Sequence, residues 1–135
     1  MKGFEDKNKG ESIKDRKYSV KLNLDQEYKK ALNLQKLGKL NQASKIYDYL
    51  IINNFVKEEV LLNYANICQQ SNKNDKAISL YKEAIKINPK NFLPFFKMGF
   101  ILNNNGRYFE AYPFAKKTIE LEPKLWQGFH NLIKI

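Results

Sequence analysis

Shifting the sequence against itself by 34 residues sets small residues on small residues and turn formers on turn formers along most of its length. Ala43, Ala77 and Ala111 align, as do Ala31, Ala65 and Gly99, and Ile51, Ile85 and Ile119 make a third column. Tyr47 falls on Tyr81, Leu34 on Leu102, Gly38 on Gly106 and Pro89 on Pro123. A repeat of this length is one supersecondary unit that cannot bury its apolar face alone, so the chain must stack such units. With 135 residues, 43% of them hydrophobic, there is material for one domain of this kind and for its core.

Each column has a physical reading. Between the marks the apolar spacing is helical: Ile78, Tyr81 and Ile85 make one stripe, and Leu61, Ala65 and Cys68 another. The small residues at 31/65/99 and 43/77/111 allow paired helices to approach. Gly38, Asn72 and Gly106 fall where a first helix must stop and the chain reverse, and Gly and Asn tolerate the left-handed conformation of such a stop. Pro89 and Pro123 close a unit, because proline cannot continue a helix. Pro113 falls about five residues into the sixth helix; that helix is expected to begin near Tyr108 with a distorted first turn and to run on without a break.

These residues resemble the tetratricopeptide repeat, a helix–turn–helix unit of the same length. The second repeat (58–91) fits best, with Leu61, Tyr64, Ala65 and Cys68, then Ala77, Tyr81, Ala84 and Pro89. The third (92–125) keeps Phe95, Met98, Gly99, Leu102, Ala111 and Pro123 but has Ala115 and Thr118 where Tyr and Ala are usual. The first (24–57) is degenerate, with Glu27 and Lys30 at apolar positions and Phe55 in place of the closing proline. The resemblance implies an all-α, right-handed α-solenoid of three repeats plus a C-terminal capping helix over 125–134. Its implied work is non-catalytic protein–protein interaction or scaffolding, without a cofactor.

Residues 1–22 read as a disordered basic leader. Order is expected from Asn23, which with Gln26 makes a capping box for the first helix of a domain spanning 23–135. The leader's start is similar to that of a group of bacterial repeat proteins whose repeats precede glycosyltransferase or sulfotransferase domains, for which 135 residues leave no room. It lacks the apolar core of a signal peptide, which predicts a cytoplasmic protein, and no apolar run is long enough to cross a membrane. At the other end Trp126, Phe129 and Ile133 share one helix face. Because that segment is more apolar than a cap requires, it is a candidate self-association face through which the protein would form a homodimer.

In such a fold the first helices line the inner wall, and positions 2, 5, 9 and 12 of each repeat point into the groove. The residues expected to matter there are Tyr28, Leu32 and Gln35, then Leu62, Asn66 and Gln69, then Phe96, Phe100 and Asn103, with Asp25, Glu59 and Leu93 at the remaining positions. Carboxamides can both donate to and accept from a peptide backbone, and the aromatics offer rigid apolar area. The groove is therefore expected to hold a peptide or partner segment, the protein's own leader included. Phe96 and Phe100 have a second reading as partial core. The carboxylate clamp known in related repeat domains is matched only at Asn63 and Lys97; Tyr28, Leu32 and Leu93 stand where it has other residues, so that function is rejected.

Two rival classes are weaker. An enzyme would need partners that the single His130, the adjacent Glu58 and Glu59 at a helix start, and the lone Cys68 at a packing position do not supply, and one Cys with one His cannot cage zinc. The formal charge of +10 is the other consideration, since it suits a nucleic-acid or anionic-surface binder. Yet 22 of the 24 cations are lysine, beside 16 Asn and 12 Ile, a mix typical of an A/T-rich genome. Lys73, Lys76, Lys82, Lys86, Lys90, Lys116 and Lys117 fall mostly on second helices or unit edges. Nucleic acid is disfavoured as a partner.

Overall fold

The computed structural model describes residues 12–125. Six helices follow one another: α1 Ile13–Lys36, α2 Leu40–Ile52, α3 Glu58–Gln70, α4 Asn74–Ile87, α5 Phe92–Asn104 and α6 Tyr108–Leu121, then one 3-10 turn, Pro123–Leu125. No strand occurs among the described residues, and no helix there is long and apolar enough to cross a membrane. The chain divides into two compact units, one up to Leu50 and one from Ile51.

The three first helices stop in the same way. Leu37 ends α1, and Gly38, at φ 74°, donates to the Gln35 carbonyl at 3.1 Å while Lys39 donates to Leu34 at 2.9 Å. Asn72 and Lys73 repeat this after α3 with Gln69 and Cys68 (3.1 and 2.8 Å), and Gly106 and Arg107 after α5 with Asn103 and Leu102 (3.1 and 2.9 Å). The double bond pattern satisfies carbonyls that a helix end would leave bare, and it needs one left-handed residue, here φ 57° at Asn72 and 73° at Gly106. Asn54, at φ 59°, turns the chain after α2.

In the N-terminal unit Tyr47 of α2 is completely buried. Its hydroxyl donates to Gln35 Oε1 at 3.0 Å, and its ring meets Tyr28 edge-on at 6.3 Å. The first helix starts eleven residues before the position that the repeat register suggests. Ser12 caps it in a reciprocal box with Asp15, so residues 13–22, expected to be disordered, are helical. Nothing between Ser12 and Leu37 is Gly or Pro, so a helix begun at Ser12 has no reason to stop, and the Asn23–Gln26 pair lies inside it.

In the C-terminal unit α3 pairs with α4, α5 with α6, and α5 also packs on α4. Val60, Leu61, Tyr64, Ala65, Ile67 and Cys68 bury one side of α3, against which Ala77, Leu80, Tyr81 and Ala84 bury theirs. Met98, Gly99, Ile101 and Leu102 do the same for α5, with Ala111, Ala115 and Thr118 on α6. The small-residue columns are thus contact lines: a Cβ on Gly99 would meet the Ala115 nitrogen and Phe114 Cβ at 3.6 Å. Glu58, at the start of α3, accepts from Asn88 (3.2 Å) and Asn91 (2.5 Å), tying that helix to the loop before α5, whose own N-cap is Asn91. As expected, α6 runs from Tyr108 through Pro113 without a break. Its exposed first turn carries a two-bond pair, Arg107 to Glu110 at 2.9 and 2.6 Å, which holds the Glu110 carboxyl below the usual carboxylate range.

Candidate functional site

At 3.6 residues per turn, Leu62, Asn66 and Gln69 fall within about 60° of arc on α3, and Phe96, Phe100 and Asn103 occupy the same sector of α5. All six are half-buried, between the packed sides of these helices and the exposed Glu59, Gln70 and Asn104. Asn63 and Lys97, also half-buried, stand at the edge of this sector. Phe96 and Phe100 are therefore neither sealed in the core nor free in solvent. In the N-terminal unit Tyr28, Leu32 and Gln35 are likewise half-buried, Tyr28 with its ring against Tyr47. Trp126, Phe129 and Ile133, and with them His130, lie outside the described residues.

The carboxamides are less free than their sequence positions suggest. The Tyr81 hydroxyl donates to Asn66 Oδ1 at 2.7 Å and reaches Gln69 Oε1 at 3.3 Å, as Tyr47 does to Gln35. With its oxygen engaged, each amide keeps its NH₂ group as the end to offer a ligand. Tyr81 is completely buried, and that burial, with the Cys68 thiol as a lesser influence, pushes its phenol well above the ordinary tyrosine range. Tyr47 is raised by burial first and Tyr28 second. Both phenols are thus fixed as donors at any physiological pH. The Tyr at this repeat position orients the amide twelve residues before it, a link that only the aligned columns could have disclosed.

Gln69 and Phe100 come together in one cavity of about 270 Å³ between the ends of α3 and α5. Asn72, Asn74, Asn104 and Asn105 complete its polar lining. None of these four stands at position 2, 5, 9 or 12 of the repeat, so helical geometry alone does not select them. The signal available was the crowding of asparagines into two turns at the same end of their hairpins.

The lysines of the other face are partly occupied locally. Lys86 pairs with Glu83 at 2.7 Å and Lys117 with Glu120 at 3.7 Å, while the Lys76 ammonium donates to the Tyr64 hydroxyl and lies 4.7 Å from its ring centre.

A family model described as TPR repeat matches residues 65–106, from the middle of α3 through the turn after α5. No curated protein sequence matches the chain. Among solved structures, the Yersinia enterocolitica type III secretion chaperone SycD, in complex with a peptide of the translocator YopD, is 22% identical with a TM-score of 0.70, over 82% of this chain and 86% of that one. MamA superimposes with a TM-score of 0.70 at 19% identity, over 82% of this chain and 67% of its own. PcrH, in complex with the chaperone binding region of PopB, reaches 0.67 at 18% identity, over 73% and 80%. Likeness at this level of identity speaks for the fold, and the matched segment and the repeated helix stops agree with it: this chain has the fold of tetratricopeptide-repeat proteins, with a TPR-repeat match over residues 65–106.

Proposed function

We propose that the chain is a non-catalytic interaction module, and that the open sector of its first helices captures an extended, largely uncharged segment of a partner protein. The observation that carries the reading is the matched exposure of two helices: Leu62, Asn66 and Gln69 on α3 and Phe96, Phe100 and Asn103 on α5, half-buried in the same register. Half-buried aromatics supply rigid contact area at low entropic cost, and NH₂ groups aligned by buried tyrosines supply donors for a peptide backbone. Tyr28, Leu32 and Gln35 hold the equivalent positions in the first repeat. SycD and PcrH, which share the fold, were solved with segments of YopD and PopB, and the proposal takes the same kind of ligand for this chain. The local engagement of Lys76, Lys86 and Lys117 weighs against a basic-surface reading.

The test is selection of phage-displayed random peptides on the immobilised protein, beside a Leu62→Ala, Phe96→Ala variant with an unchanged helical circular dichroism spectrum. The wild type is expected to enrich a related set of peptides, and the variant to bind them tenfold or more weakly, since a buried interface aromatic carries about 2 kcal/mol. Equal binding by the variant would overturn the site, and no enrichment by the wild type would overturn the function.

A further inference from the structure

The cavity between the ends of α3 and α5 has a chemistry unlike the rest of the open face. The polar residues that line it all carry primary carboxamides: Gln69, Asn72, Asn74, Asn104 and Asn105. Phe100 and Ile101 supply its apolar lining. The side chains of the four asparagines make no hydrogen bond to another described residue, whereas Gln69 is oriented by Tyr81. Every carboxamide carries one acceptor and two donors, so this pocket offers both functions several times over without a formal charge.

Charge and size narrow what it can hold. Three helix ends meet here, α3 ending at Gln70, α5 ending at Asn104 and α4 beginning at Asn74, so their partial charges offset, and none of the lining side chains carries a charge to pair with a carboxylate. The chain's formal charge of +10 opposes a cation arriving from solution. A volume of about 270 Å³ lies under the lower bound for drug-sized ligands, roughly 300 Å³, and leaves room for one polar side chain with a few waters around it. The group that fits is neutral, donates and accepts at once, and carries a short methylene stem to lie on Phe100. We infer that this pocket is a specificity subsite for a glutamine side chain of the bound segment, its carboxamide pairing with those of the pocket. The inference rests on the peptide-capture reading above and adds the residue that the site selects.

The experiment starts from the peptides enriched by the wild-type protein. A glutamine at one aligned position is expected in most of them. In fluorescence polarisation with the best peptide, replacing that glutamine by glutamate should weaken binding about tenfold or more, and replacing it by alanine several-fold. An Asn74→Ala, Asn104→Ala variant should bind the glutamine and alanine peptides equally, while Leu62→Ala, Phe96→Ala weakens both alike. Enriched peptides without an aligned glutamine, asparagine in its place included, would overturn the subsite and leave peptide capture standing. Discrimination that survives in the asparagine variant would do the same. Failure of the wild type to enrich any peptide would overturn both readings together.

Discussion

The second and third hairpins share one backbone plan and fill it differently. In α3/α4 a completely buried Tyr81 spans the pair and ties down Asn66 and Gln69. In α5/α6 the aligned residue is Ala115, only 2% exposed, and across from it Gly99 stands where the second hairpin has Ala65. Both hairpins close with the same left-handed stop and the same two turn bonds. The turn and the small-residue columns are therefore what specify the hairpin, and the tyrosine is one of two ways to occupy its interior. The choice shows in the half-buried sector of the first helices, which carries an aligned amide pair, Asn66 and Gln69, in the second repeat and a pair of aromatics, Phe96 and Phe100, in the third.

The largest expected effect tests whether the two interiors are interchangeable. Tyr81→Ala should destabilise the protein by about 3–5 kcal/mol in denaturant unfolding, through the cavity and the two amides left without a donor. The mirror substitution, Ala115→Tyr, should also destabilise, by about 1–3 kcal/mol, because the third hairpin has closed around the smaller side chain. A stabilising Ala115→Tyr would mean that the hairpins differ in sequence only.

A smaller pair separates the turn from the contact line. Gly106→Ala forces a side chain into the left-handed region and should cost about 1 kcal/mol. Gly99→Ala has only ordinary van der Waals contacts to make, so the gain in helix propensity should stabilise by about 1 kcal/mol. Thermal melts that move in the same direction for both would contradict the division of roles.

The smallest effect is one of pH. A phenol whose folded pKa is raised above the unfolded value of 10.0 leaves stability intact below pH 10 and removes it as pH rises toward the folded pKa. Phenolate absorbance should show Tyr81 and Tyr47 ionising after the exposed tyrosines among the eight in the chain, with unfolding as they do so. Tyr81→Phe should remove one of the two late-ionising phenols and leave that of Tyr47.

The repeat was legible because its marks are local. A left-handed stop needs Gly or Asn, a contact line needs a small residue, and these recur at 34 residues whatever surrounds them. The start of α1 was not legible from that register. Ser12 and Asp15 form an ordinary capping box, but they lie outside any repeat, and Asn23–Gln26 satisfies the same rule at the position that the register favours. That Leu62, Asn66 and Gln69 share one sector of α3, and Phe96, Phe100 and Asn103 that of α5, follows from helical geometry. The asparagine pocket does not, because turn residues of two hairpins build it, and their proximity depends on how those hairpins pack.

The most direct measurement is amide chemical-shift mapping of the intact protein with a peptide enriched by selection. Shifts should concentrate on Leu62, Asn66, Gln69, Phe96 and Phe100, with Lys82, Lys86 and Lys116 unmoved. Shifts confined to those lysines on α4 and α6, with the first-helix residues silent, would contradict capture of a partner segment on the open face.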